Sequence, residues 1–198
     1  MSLNALIYSV LIDPLLSGLR KGVMDAVNDR AAVIDIACGP GTLSLEMAQK
    51  AGHVTGIDID EKLISFASGT ASKKGIQNVS FALHDASDLT VYRDYEYDIA
   101  VISMAVHQFP EELAVKILSE MKRIARKVII ADYNFPMLRG FSKSLAYGIE
   151  RMTKGDHHRN FISYMSRGGL QWFAASAGLE ILSSVVKGNG VFKIAVCG

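Results

Sequence analysis

A chain of 198 residues with 49% hydrophobic and 21% charged residues has the composition of a folded domain with a full core, which excludes a disordered segment. A net charge of +1 leaves no electrostatic footprint for DNA, RNA or another polyanion. Cys38 and Cys197 are the only cysteines and form no CxxC pair, so no disulfide framework is expected, no metal site is assigned, and a reducing, cytoplasmic location follows.

Residues 1–19 are apolar but lack a basic start, and Asp13-Pro14 interrupts them, which argues against a signal peptide or a membrane span. Asn4–Ile12 reads as a short helix stopped by Asp13-Pro14, and Leu15–Val27 as a second. The first is apolar nearly all round, so something must cover it: the domain itself, a second copy of the chain, an apolar acceptor, or a membrane surface touched peripherally. Residues 1–28 are therefore an N-terminal helical cap on a single domain spanning 1–198.

The stretch Ala31–Thr42 (AAVIDIACGPGT) starts as a strand buried on both faces, broken only by Asp35, and turns at Gly39-Pro40-Gly41 into an apolar-periodic helix with Leu43, Met47 and Ala51. A strand, a glycine turn and a helix N-terminus together make a place for a nucleotide-like ligand, with free N–H groups aimed at its polar atoms. A carboxylate inside the strand is costly to bury without a partner, which points to a role for Asp35. His53–Asp58 is the second strand, and Asp58 stands where a carboxylate accepts from both hydroxyls of a ribose.

Asp60 caps a helix over Glu61–Lys73, and Val79–Leu83 is the third strand. Tyr97–Ser103 is the fourth, after which Pro110 opens a helix at its first position. Glu111 and Glu112 lie at that helix's start and Lys122, Arg123 and Arg126 near its end, as the macrodipole prefers. Lys127–Tyr133 is the fifth strand, followed by an irregular helical stretch over 137–168 and a helix from Gly169 to Ala177. Ile181–Val186 and Val191–Cys197, joined by Lys187-Gly188-Asn189-Gly190, pair as an antiparallel hairpin. Alternating strands and helices make an α/β fold with ligands outside the carboxyl ends of a mostly parallel sheet.

These residues resemble the class I S-adenosylmethionine-dependent methyltransferases, most closely the ubiquinone/menaquinone-type small-molecule group. VIDIACGPGT is similar to that family's first motif, GIDID to its second, HDASDL to its third, YDIAVISMAVHQF to its fourth and VIIADY to its fifth, from Val33 to about Tyr133. The resemblance implies a Rossmann-like seven-stranded sheet with the antiparallel hairpin at its end, helices on both faces, and S-adenosyl-L-methionine as cofactor. It implies that Gly39, Pro40 and Gly41 form the floor beneath the methionine part and ribose. Asp35 would face the cofactor's ammonium through water, and Asp58 would hold the ribose hydroxyls, with Ile59 against the adenine. Asp85 would accept from the adenine amino group, Ala86 would offer its N–H to a ring nitrogen, and Ser103 would lie near the methionine.

Methyl transfer from a sulfonium requires positioning and exclusion of water, and for an oxygen or carbon acceptor a base. The candidate bases are His107, after the fourth strand, and His157 and His158 in KGDHHRNF, where the family builds its acceptor site. The same two histidines read equally as a solvated loop, and they lack a third ligand at metal-binding spacing. Strand four ends in Ser103-Met104-Ala105-Val106, unlike the Asn-Pro-Pro-aromatic motif of enzymes that methylate nucleobase amines. With Tyr147, Phe161 and Tyr164 in the insertion, the expected partner is a small, partly apolar methyl acceptor and no nucleic acid. Two other functions compete. A nicotinamide-dependent oxidoreductase needs glycine or alanine where Ser44 stands. A non-catalytic S-adenosylmethionine-binding sensor would keep every cofactor motif.

Overall fold

The computed structural model describes residues 13–137, 141–152 and 156–198, with the side chains of 13–15, 141, 142 and 152 left aside. The apolar helix expected over Asn4–Ile12 lies outside them. Helix α1 spans Asp13–Ala26 among the described residues, earlier than the expected Leu15, so Asp13 and Pro14 are helical. Leu19, Val23 and Val27 recur every four residues and are buried.

Strand β1 (Ala32–Ile36) pairs in parallel with β2 (His53–Asp58) on one side and β4 (Tyr97–Ser103) on the other. The remaining strands are β3 (Val79–Leu83), β5 (Ala125–Tyr133), β6 (Ile181–Lys187) and β7 (Phe192–Cys197). The sheet order is β3-β2-β1-β4-β5-β7-β6, with β7 antiparallel to both β5 and β6. The expected seven-stranded sheet and its closing hairpin are therefore present. Buried runs through β1, β4 and β5 require cover on both faces.

That cover comes from α1 and from α2 (Thr42–Met47), α3 (Glu61–Lys74), α4 (Glu111–Ile124) and α7 (Leu170–Ser176). Asp60 accepts from the Lys62 and Leu63 N–H groups at 2.8 and 3.3 Å, capping α3 as read from the sequence. Pro110 stands one residue earlier than expected, at the N-cap of α4. Arg126 belongs to β5 rather than to the end of α4, because the strand follows the helix without a loop. Between β5 and α7 lie α5 (Phe141–Met152) and α6 (His157–Arg167), so His157-His158 opens a helix instead of lying in a loop. Among the described residues no helix is long and apolar enough to cross a membrane.

Candidate active site

The glycine turn joins the ends of β1 and β2. The Cys38 N–H donates to the Ile57 carbonyl at 2.9 Å, the Gly39 N–H to Asp58 Oδ2 at 2.8 Å and the Gly41 N–H to the Cys38 carbonyl at 3.1 Å. The expectation of free N–H groups aimed at a ligand is corrected for Cys38, Gly39 and Gly41, whose donors are taken by β2 and by the turn itself. Asp58 also accepts from the Asp60 N–H at 2.9 Å through Oδ1. Each carboxylate oxygen keeps a further lone pair, so Asp58 holds the loop and still offers acceptors outward.

A cavity of about 670 Å³ opens over this rim. Asp85 and Ala86 line it beyond the end of β3, Asp58 and Ile59 at the end of β2, Gly39 and Pro40 after β1, and Ser103 at the end of β4. These are the sequence-predicted cofactor positions apart from Asp35 and Gly41. Ile59 is 70% exposed, an aliphatic side chain left facing outward at the cavity edge. The Ser87 N–H donates to Asp85 Oδ1 at 2.8 Å; this bond, with the Ser87 hydroxyl, holds the Asp85 carboxyl below its usual range. The Ala86 N–H has no hydrogen-bond partner among the described residues. Gly39 has φ +55° with open space where a Cβ would stand, so a ligand can lie against its backbone.

Gly41 does something different. At φ +75° its missing Cβ would meet the Phe81 ring at 2.7 Å and the Ala67 Cβ at 2.8 Å, so this glycine lets α2 start against α3 and β3. It does not line the cavity.

Asp35 is 2% exposed and lies beside a second hollow of about 150 Å³, shared with Leu16, Arg20 and Leu43. That hollow borders the larger cavity through Ala37, Cys38, Pro40, Ser103 and Met104, which line both. Burial pushes the Asp35 carboxyl up to about 7, a rise that the Ser44 hydroxyl opposes and the Asp58 carboxylate adds to. Cys38 is buried and its thiol is pushed far up, by burial first and then by Asp35, which suits packing and not nucleophilic attack. Several lining residues were not among the sequence-predicted positions, two of them with unusual backbone. Ala37 and Met104 take φ of 56° at the ends of β1 and β4, a left-handed turn that non-glycine residues seldom adopt.

The histidines form a separate cluster. His107 sits in a 3₁₀ turn (Val106–Gln108) after β4, is 1% exposed and does not line the large cavity. Its Nδ1 lies 2.6 Å from Asp132 Oδ1. Asp132, 0% exposed, also accepts from the His107 and Tyr133 backbone N–H groups. Burial alone would depress the His107 pKa; the Asp132 and Glu150 carboxylates outweigh it and raise it. Glu150 of α5 faces both His107 and His157, and accepts from the Tyr133 hydroxyl at 2.8 Å. Burial lowers the His157 pKa despite Glu150. His158, the next residue on α6, is half-buried and lies outside this group, since successive helical residues point about 100° apart. Neither Asp132 nor Glu150 stood out in the sequence, because each reads as an ordinary strand or helix acid.

A parallel sheet whose ligand cavity lies across the ends of β1, β2 and β4, closed by an antiparallel hairpin, defines the class I methyltransferase architecture. Residues 28–164 match the methyltransferase domain family, and the chain belongs to it, with S-adenosylmethionine as the family's cofactor. The ubiquinone biosynthesis O-methyltransferase of Azoarcus sp. (strain BH72) is 26% identical over 158 residues, covering 76% of this chain and 65% of the relative. Among solved structures, the PH0226 protein from Pyrococcus horikoshii OT3 superposes with a TM-score of 0.74 at 20% identity, covering 97% of this chain and 92% of that one. Magnesium protoporphyrin IX methyltransferase from Synechocystis PCC 6803, solved with bound SAH, gives a TM-score of 0.63 at 19% identity, covering 93% and 81%. The chain spans about a third to two thirds of the length of the curated relatives it matches.

Proposed function

We propose that this chain transfers a methyl group from S-adenosylmethionine to a small, partly apolar molecule, at oxygen, carbon or nitrogen. The observation that carries the reading is the convergence of Gly39, Asp58, Ile59, Asp85, Ala86 and Ser103 on one cavity at the carboxyl rim of the parallel strands. Bound there, the cofactor supplies an electrophilic methyl group on a sulfonium. The chain's residues bind, orient and exclude water. Asp58 takes the ribose hydroxyls, Ile59 packs on the adenine, and Asp85 with the Ala86 N–H reads its polar edge. Gly39 and Pro40 form the floor and Ser103 lies by the methionine. Asp35 faces the ammonium through water from the adjoining hollow.

For an oxygen or carbon acceptor a proton must leave. His107, held by Asp132, and His157, against Glu150, are the side chains gathered to serve it; His158, next along α6, lies outside that cluster. A net charge of +1 favours a small neutral or anionic acceptor over a nucleic acid.

Calorimetry with S-adenosylmethionine, its demethylated product and NAD tests the cofactor, and tighter binding of NAD would overturn the reading. Incubating cell extract with methyl-labelled cofactor and the purified chain tests the reaction. Label is expected in a small-molecule fraction; label in RNA would replace the acceptor class. Binding without transfer to any fraction would make the chain a cofactor-binding sensor.

A further inference from the structure

His107, Glu150 and His157 come from three separate elements, yet one nitrogen or oxygen from each lies within 4.8 Å of the other two. We propose that these residues bind a divalent transition-metal ion of the zinc type, through His107 Nε2, one carboxylate oxygen of Glu150 and His157 Nε2.

The spacing suits such an ion. Glu150 Oε1 is 3.6 Å from His107 Nε2, and Glu150 Oε2 is 2.8 Å from His157 Nε2. Tetrahedral ligands at zinc distances stand about 3.4 Å apart, inside the 4.8 Å that bounds the three ligand atoms here. The outer partners are already in place. Asp132 holds His107 by Nδ1, so the lone pair is on Nε2, the nitrogen that faces Glu150. This is the carboxylate–imidazole arrangement that orients metal-bound histidines. The Tyr133 hydroxyl donates to Glu150 Oε1 at 2.8 Å and fixes the carboxylate plane.

His157 supplies a further argument. Its buried Nε2 comes within ion-pair distance of Glu150 but makes no hydrogen bond of acceptable direction. A ring nitrogen aimed past its nearest acceptor is better placed to ligate than to donate. The rings of Tyr133, Phe161 and Tyr164 pack around His107 with centroids 4.8, 6.2 and 6.3 Å away, walling that histidine off from water. Two imidazoles and one carboxylate select zinc, cobalt or nickel over magnesium or calcium. Three protein ligands leave a fourth position open. The ion would tie α5 and α6 to the end of β4, and while it is bound His107 and His157 do not serve as proton acceptors.

The test uses the full chain after dialysis against a chelator, titrated calorimetrically with zinc, cobalt(II) and magnesium chlorides. One zinc per chain is expected to survive desalting, with cobalt(II) giving the intense visible absorption of a low-coordinate site and magnesium giving no saturable heat. His157→Ala, at a partly exposed position, should weaken zinc binding beyond the about 10–100-fold that loss of an outer partner costs. Circular dichroism checks that this variant is folded, and His158→Ala should bind zinc as the wild type does. Absence of stoichiometric zinc in the wild type, or equal affinity in a folded His157→Ala variant, would overturn the proposal. Neither result bears on donor binding at the large cavity.

Discussion

Ser44 Oγ donates to Asp35 Oδ2 across 2.5 Å, with both side chains shut away from solvent. The pair joins the middle of β1 to the first turn of α2, immediately behind the glycine turn. A single neutral donor does not repay the desolvation of a carboxylate. Asp35 therefore keeps its proton to about pH 7 unless a cation comes near it. If the cofactor's ammonium lies next door, as proposed, this carboxyl meets its counter-charge there.

The first prediction concerns stability and pH. Asp35 titrates near 3.8 when unfolded and near 7 when folded, so between these values the folded state holds a proton that the unfolded state has released. Its contribution is intact below about pH 4 and is lost as pH rises through 7. At about 1.4 kcal/mol per pH unit the total penalty is about 4 kcal/mol. Urea denaturation from pH 4.5 to 8 should show this falling component in the wild type and not in Asp35→Asn. An identical slope in the two proteins would remove Asp35 as its source.

A second prediction follows for the ligand. If the cofactor's ammonium faces Asp35, binding favours the carboxylate and expels its proton. Affinity for the demethylated cofactor should then rise with pH up to about 7 and level off. Calorimetry at pH 6.5 in buffers of different ionisation enthalpy should register proton release. Asp35→Asn should release none and bind with flat pH dependence.

How much of this was legible depends on whether a signal is local. The strands declared themselves because β1, β4 and β5 are buried on both faces and read as unbroken apolar runs. Asp58 and Ile59 stand at the end of β2 and Asp85 and Ala86 shortly after β3, so their places at the cavity rim could be read from where those strands end. Glu150 and Asp132 were not, since a helix acid and a strand acid acquire meaning only when β4, β5, α5 and α6 bring them to His107. The separate fates of Gly39 and Gly41 were equally hidden. What would touch each Cβ is a matter of where α3 and Phe81 lie, and no spacing within the turn encodes that.

Asp58 carries the third prediction. Asp58→Ala removes a charged acceptor from two hydroxyls and should weaken cofactor binding by about 2–4 kcal/mol. It also frees the Gly39 and Asp60 N–H groups from their acceptor, so the turn itself loosens. Asp58→Asn keeps one acceptor oxygen and should fall between the wild type and alanine. Isothermal titration with the demethylated cofactor reads both, and unchanged affinity in either variant would take Asp58 out of the site.

The two glycines give the last prediction, because the same substitution should do opposite things a turn-width apart. Gly41→Ala places a methyl group 2.7–2.8 Å from Phe81 and Ala67 at φ +75°, so side chains must move and the backbone is strained as well. Overpacking and left-handed strain together should cost about 2–5 kcal/mol, seen as a lower denaturation midpoint. Gly39→Ala meets nothing within 4 Å, and its φ of +55° should cost only about 1–2 kcal/mol. Its methyl group, however, stands on the cavity floor where the ligand is proposed to lie. Gly39→Ala should therefore remain folded and lose cofactor affinity by tenfold or more, measured by calorimetry beside denaturant melts of both variants. Full affinity in Gly39→Ala would mean that the ligand does not touch this turn.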